Sequence, residues 1–228
     1  MTDPEGGATE SGNEASLRLM VLTHPRPACG RPLAEVVQEC LEAGATAIQL
    51  RDKAASDAEL YEQALRLGEL TRAHGALLIV NDRFDLALAA GADGVHLGPE
   101  DLPVEVVRLH AGDDLLIGYS ADDPGSGLLA ANAGADYLGV GAVYGTTSKE
   151  ALEDEAVGPE RVGQVLHAAG LPGVGIGGIG PDNAAAVFGT GAGVAVLAAV
   201  MQAARPGEVV RRLHEVSERA RAEAETAS

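Results

Sequence analysis

The chain has 228 residues, 46% of them hydrophobic but only 3% aromatic and none of them Trp, so Ala, Val, Leu and Gly must fill one substantial core. With 34 acids against 16 bases the formal net charge is −18, which repels nucleic acid and anionic membranes. No apolar run approaches the roughly 20 residues of a membrane span, no basic-then-apolar leader opens the chain, and Cys29 and Cys40 fit neither a disulfide framework nor a metal-ligand spacing, so the expectation is a soluble, cytoplasmic protein.

Residues 1–15 carry Gly, Glu, Ser, Thr and Asn without apolar periodicity and read as a disordered tail, leaving 16–228 as one domain. Leu17 to Thr23 is a first strand, followed by a Pro/Gly-rich loop. Pro32 to Ala43 has apolar residues at helical spacing and stops at Gly44. Ala45 to Leu50 is the second strand and Asp57 to His74 a long amphipathic helix. Strands over Ala76 to Val80 and Gly94 to Leu97 flank a short Ala/Leu-rich helix. Pro103 to His110 is helical, Leu115 to Gly118 a strand, Ser126 to Ala133 helical and Asp136 to Val140 a strand. After a long loop from Gly141 to Val157, Pro159 to Ala169 and Pro181 to Gly189 are helices flanking the strand Gly173 to Ile176. Gly193 to Leu197 is the eighth strand and Pro206 to Ala224 the last helix.

Eight strand–helix units predict a closed (β/α)8 TIM barrel, an α/β fold in which closure leaves no open sheet edge. A near-repeat supports it. Ala-Gly-Ala-Thr/Asp occurs at Ala43 to Thr46, Ala90 to Asp93 and Ala133 to Asp136, each Gly placed to end a helix in the left-handed conformation before a strand begins. An open doubly wound sheet is the alternative, but no Gly-x-Gly-x-x-Gly follows the first strand.

In such a barrel, reactive groups gather where strands end at the C-terminal face. Those positions hold Gln49, Arg51, Asp52 and Lys53 after strand two, Asn81 and Asp82 after strand three, and Glu100 and Asp101 after strand four. Tyr119 and Ser120 follow strand five, and Thr146, Thr147, Ser148 and Lys149 follow strand six. Gly177 and Gly178 follow strand seven, in a turn whose backbone N–H groups can face a phosphate. The chain has only two lysines, Lys53 and Lys149, and both fall on this face. Arg offers a bidentate fork and Lys a compact charge, so the set describes a polyphosphate site. Asp82 and Asp101, converging from adjacent strands, suit Mg²⁺ shared with substrate phosphates. The residues alone leave a second reading open: Asp82 caps the next helix, Asp101 completes a turn, and Arg51 and Lys53 are surface residues at a helix start. His96, within strand four, reads as a hydrogen-bonded structural residue, and nothing points to a Ser-His-Asp or Cys-His nucleophile pair.

Gln49-Leu50-Arg51-Asp52-Lys53, Asn81-Asp82-Arg83, the run Asp93 to Asp101, Gly118-Tyr119-Ser120, Thr146-Thr147-Ser148-Lys149 and Ile176-Gly177-Gly178-Ile179 together resemble the thiamine phosphate synthase family over Leu17 to Leu213. The resemblance implies a transferase that joins 4-amino-2-methyl-5-hydroxymethylpyrimidine diphosphate to 4-methyl-5-(2-phosphooxyethyl)thiazole through a dissociative, carbocation-like step, releasing diphosphate. It implies that Gln49, Arg51, Lys53, Asn81, Ser120 and Lys149 hold the pyrimidine diphosphate. Arg51, Lys53, Ser120 and Lys149 would be the catalytic groups, and Asp82 and Asp101 the Mg²⁺ ligands. Thr146, Ser148, Gly178, Leu197 and Ala198 would line the thiazole phosphate site, and Thr147 and Gly177 would also be substrate-binding. Ala198 stands where the family often has Ser, and Asp122 where it commonly has His. The long loop after strand six is the expected lid. A related barrel, a thiazole tautomerase, and a non-catalytic thiazole-phosphate binder are the alternatives. The tautomerase lacks support because Asp82 and Asp101 are present and its His is not. The expected partners are small phosphorylated molecules, with a homo-oligomer left open.

Overall fold

All eight strands form in the predicted order in the computed structural model, which describes residues 16–145 and 156–227. They are β1 (Leu19–Leu22), β2 (Ala47–Leu50), β3 (Leu77–Asn81), β4 (Gly94–Leu97), β5 (Leu116–Ser120), β6 (Tyr137–Val140), β7 (Gly173–Ile176) and β8 (Gly193–Val196). Each pairs in parallel with the next, and β8 returns to β1 to close the barrel. The helices are α1 (Leu33–Glu42), α2 (Asp57–Ala73), α3 (Phe84–Ala90), α4 (Val104–Ala111), α5 (Pro124–Asn132), α6 (Gly158–Ala169), α7 (Ala184–Phe188), α8 (Ala198–Met201) and α9 (Pro206–Ala227). The tail expected over residues 1–15 and the middle of the loop after β6, with Thr146, Thr147, Ser148 and Lys149, lie outside the described residues.

The alternation of side chains along a strand sorts the apolar residues into two cores. Ile48, Leu50, Leu78, Val80, Val95, Leu97, Ile117, Leu138, Val194 and Val196 face the helices. Met20, Leu22, Ala47, Ile79, Tyr137, Val174 and Ala195 fill the barrel. The same alternation carries the inner face upward to Gln49, Asn81, His96 and Ser120, so the apolar interior gives way to a polar layer at the ends of β2 to β5.

The near-repeat closes the opposite end. Gly44, Gly91 and Gly134 take the positive φ that ends each helix, at 103°, 63° and 99°. Two residues later a side-chain oxygen accepts a backbone N–H from the preceding strand: Thr46 from Leu19 at 2.9 Å, Asp93 from Leu78 at 2.7 Å and Asp136 from Ile117 at 2.7 Å. Arg108 ties the last of these further by pairing with Asp136 and the Gly134 carbonyl. Between β7 and β8 the corresponding residue is Gly193, where a Cβ would lie 2.2 Å from the Leu17 carbonyl oxygen, so no side chain fits there.

Three local differences from the sequence reading have clear causes. Helix α5 starts two residues earlier than Ser126, because Asp123 caps Gly125 and Ser126 and Pro124 takes the first turn. Helix α7 is shorter than Pro181 to Gly189, since Asn183 turns back to bind Gly180 N–H and the Gly178 carbonyl. The added helix α8 lies in an apolar run that periodicity does not separate from the end of a strand.

Candidate active site

The C-terminal mouth of the barrel is built from strand ends and the short turns that follow them. Gln49 is buried at the top of β2, where its amide nitrogen lies 3.5 Å from the Met20 sulfur. Beyond it, Arg51 is anchored through its backbone. Its N–H donates to the Thr23 hydroxyl at 2.9 Å, and that hydroxyl in turn lies 3.3 Å from the Arg51 carbonyl. Thr23 is fully buried and gave no functional signal in the sequence; it fixes where the Arg51 side chain leaves the barrel. The guanidinium of Arg51 makes no ion pair among the described residues.

Residues 51–55 form a loop, not a helix start, with the Asp52 carboxylate accepting N–H bonds from Ala54 and Ala55 at 3.0 and 3.1 Å. Helix α2 begins only at Asp57, behind Ser56 and a capping box with Glu59. Arg51 and Lys53 are therefore not surface residues of a helix N-terminus. Lys53 extends over the mouth and pairs with Asp82 at 3.6 Å.

Asp82 does not cap α3, whose N-cap is Arg83. It sits at φ +64°, a left-handed conformation that Asp adopts more readily than most residues. Its N–H reaches the His96 carbonyl at 2.9 Å, and Arg83 N–H closes onto Asn81 at 2.7 Å. Arg83 holds this sharp turn from outside, bridging Asp57 of α2 at 2.5 Å and Asp85 of α3 at 2.7 Å. Those two carboxylates hold its guanidinium above its ordinary pKa, so Arg83 acts as a clamp rather than a free phosphate ligand.

Asp101 arrives from the next strand end. One of its oxygens accepts the Gly98 N–H at 2.6 Å, which orients the carboxylate while fulfilling the turn expected there. The Asp82 carboxyl is pushed above its ordinary pKa, first by burial and then by the adjacent Asp101 charge, with Lys53 opposing both. Two carboxylates held against each other, with one lysine nearby, form an oxygen-donor set that a small hard cation would relieve. Among the described residues no cluster of three or more His, Cys, Asp or Glu could hold a metal, so Asp82 and Asp101 offer a donor set of two carboxylates. Lys53, Asn81, Asp82 and Arg83, with Asp57 and Leu60, line a cleft of about 270 Å³.

Ser120 ends β5 inside the mouth, with its hydroxyl 3.1 Å from His96 Nε2. The expected structural role for His96 is thus met by a contact with a candidate site residue. Its other ring nitrogen lies 3.1 Å from the Tyr137 hydroxyl, a partner the sequence did not reveal. On the far side of the mouth, Gly177 and Gly178 take φ of +99° and +66°, and a Cβ on either would lie 2.7 or 2.5 Å from the segment Ala142 to Gly145. These glycines thus have a packing cause of their own. Leu197 and Ala198 lie at the start of α8, beside them across the β7–β8 pair.

The structure therefore brings Gln49, Arg51, Lys53, Asn81, Asp82, Asp101 and Ser120 to one half of the mouth. Gly177, Gly178, Leu197 and Ala198 lie at the other, and Lys149 and the residues 146–148 fall outside the described residues. Cys29 is exposed in its loop, while Cys40 is buried, which pushes its thiol up to about 12. His24 bonds within its own loop. His214 is half-buried beneath Gly44.

Residues 19–200 match the family described as thiamine monophosphate synthase. A thiamine-phosphate synthase of Natronomonas pharaonis is 48% identical over 200 residues, covering 87% of this chain and 94% of that one. One from Haloarcula marismortui is 46% identical, covering 88% and 97%. The structure of a thiamine phosphate pyrophosphorylase from Pyrococcus furiosus superposes with a TM-score of 0.83 at 41% identity, over 91% of this chain and 98% of that one. Sequence and fold agree across nearly the whole length of the relatives: the chain belongs to the thiamine monophosphate synthase family and is a transferase.

Proposed function

We propose that the protein joins 4-amino-2-methyl-5-hydroxymethylpyrimidine diphosphate to 4-methyl-5-(2-phosphooxyethyl)thiazole, giving thiamine phosphate and diphosphate. The observation that carries the reading is the crowded Asp82–Asp101 pair with Lys53 over it, at the mouth of a barrel whose inner wall there is polar. In the reaction the bond from the exocyclic carbon to the diphosphate oxygen breaks first, and the leaving group takes the electron pair. The thiazole nitrogen lone pair then forms the new carbon–nitrogen bond to the pyrimidine-stabilised cation.

Such a step needs stabilisation of the leaving group more than a general base. Arg51, Lys53 and Lys149 supply positive charge to the diphosphate, and Gln49, Asn81 and Ser120 orient the pyrimidine half. Asp82 and Asp101 would hold Mg²⁺, and their two oxygen-donor groups suit a cation that takes most of its remaining ligands from water and phosphate. When bound, the ion neutralises diphosphate charge and favours its departure. Thr146, Thr147, Ser148, Gly177, Gly178, Leu197 and Ala198 receive the thiazole phosphate. This places it beside β7 and β8, where barrels of this class commonly bind phosphate. Ala198 offers no hydroxyl, so backbone N–H groups must serve in its place. The reading carries a cytoplasmic location with it, since both substrates are charged.

The test is incubation of the full chain with both substrates and Mg²⁺. Thiamine phosphate and diphosphate in equal amounts are expected. Absence of thiamine phosphate, with both substrates recovered intact, would overturn the assignment.

A further inference from the structure

We infer that Tyr137 and His96 act as positioning residues that turn the Ser120 hydroxyl into a hydrogen-bond donor toward the ligand. The inference rests on the proposed role of Ser120 at the pyrimidine diphosphate, and it assigns that role a direction.

The geometry begins with the register. Asn81, His96, Gly118 and Tyr137 stand in one row across β3 to β6, all on the inner face. Gly118 leaves its place to the tyrosine ring: a Cβ there would lie 2.1 Å from Tyr137 Cζ. Gly139, level with Ser120, leaves room for the imidazole in the same way, since its Cβ would stand 3.0 Å from His96 Cε1. The two rings pack with centroids 5.5 Å apart. Two inward glycines thus make space for one Tyr–His pair beneath Ser120.

Hydrogen-bond accounting then fixes the direction. Tyr137 is 1% exposed, packed with Leu17, Met20, Leu22 and Ile79. Burial keeps its phenol neutral, well above the ordinary range for ionisation. A neutral phenol in such surroundings has one O–H to place, and leaving it unmade is costly. Among the described residues its partner is His96 Nδ1 at 3.1 Å, so the phenol donates and Nδ1 accepts. A neutral imidazole accepting at Nδ1 carries its proton at Nε2. Nε2–H therefore donates to Ser120 Oγ, also at 3.1 Å. With that lone pair taken, the serine's own proton is free to point into the mouth, toward an acceptor on the pyrimidine diphosphate. The opposite tautomer would leave a buried phenol proton without an acceptor among the described residues.

Two measurements on the full chain test this. The ring nitrogens of His96, assigned by comparison with His96→Asn, should show a non-protonated Nδ1 and a protonated Nε2 in a long-range ¹H–¹⁵N spectrum. A protonated Nδ1 in the wild-type chain would overturn the direction of the relay. This readout needs no substrate, so it stands even if the chain fails to make thiamine phosphate. In turnover, Tyr137→Phe should lower kcat/KM about tenfold, the scale of one lost hydrogen bond. In a Ser120→Ala background the same change should have less than a twofold effect. An equal loss in both backgrounds would show that Tyr137 does not act through Ser120. If Tyr137→Phe does not fold, the wild-type tautomer alone decides.

Discussion

At the N-terminal end of the barrel, Asp93 and Asp136 each accept a strand N–H at 2.7 Å, and Arg108 pairs with the second. At the C-terminal end, Asp82 and Asp101 face each other, and burial together with that repulsion raises the Asp82 pKa. The residue type is the same, and both pairs lie next to strand termini. What differs is the partner each was given. The lower aspartates are matched to donors the fold itself supplies, so they serve folding. The upper ones also have partners, Lys53 for Asp82 and the Gly98 N–H for Asp101, but they stay crowded against each other, so a ligand can relieve them. A closed barrel permits this because its two ends are joined by rigid strands and need not share tasks.

The largest effects should separate the ends by chemistry. Lys53→Ala and Asp82→Asn should each lower kcat by about 10²–10³, the usual cost of removing a preorganised charge from a developing one. Neither should unfold the barrel: the Lys53–Asp82 pair is exposed on the lysine side, where such bridges contribute little stability. Asn is the cleaner replacement at Asp82, because it also tolerates the positive φ there. Lys149→Ala is expected to match Lys53→Ala. Steady-state kinetics at saturating substrates, with wild-type turnover in any of the three, would remove that residue from the diphosphate site.

The mirror-image variant comes next. Asp136→Ala leaves the Ile117 N–H without its acceptor, a loss of about 1–3 kcal/mol. Thermal melts should drop by roughly 2–10 °C for a chain of this size, while kcat of the folded fraction stays within twofold. A variant that melts like wild type but turns over slowly would mean that the lower aspartates are not confined to folding.

A smaller effect follows from the sign of the Asp82 shift. A carboxyl whose pKa is higher folded than unfolded favours the folded state fully below its unfolded value, and that contribution is lost as pH rises through the folded value. In chelator, Asp82→Asn should therefore melt higher than wild type near neutrality, with the gap closing as pH falls below the ordinary carboxylate range. Added Mg²⁺ should raise the wild-type midpoint and leave the variant's unchanged. A gap that grows toward acid pH would contradict the crowding. The smallest effect concerns the whole surface. At a net charge of −18, raising KCl from low to molar concentrations should lift the melting midpoint modestly by screening like charges. A flat or falling midpoint would show that repulsion is not limiting.

Strand order and closure were legible because each strand is a short apolar run bounded by a helix stop and a polar end. The candidate residues were legible for the same reason: they stand just past those runs, as Arg51, Lys53, Asp82 and Asp101 do. What sequence could not give was partnership across the barrel. Tyr137 reads as one more apolar strand residue, and its link to His96 spans 41 positions that only closure brings together. Thr23, a polar residue at a strand end, is indistinguishable in sequence from a loop start, yet it is buried as a brace for Arg51. Asp123-Pro124 was a readable cap, since Asp before Pro is a common way to open a helix. The short helix after Leu197 was not readable, because four apolar residues carry too little periodicity.

The meeting of Gly118 with Tyr137 also bears on descent. A methyl group at position 118 would occupy the space of the Tyr137 ring, and a smaller residue at 137 would leave a void above a bare glycine. Neither position can drift alone without damage to the interior. The two should be inherited as a unit, changing together or not at all, and lineages that replace the tyrosine should be the ones in which position 118 has regained a side chain.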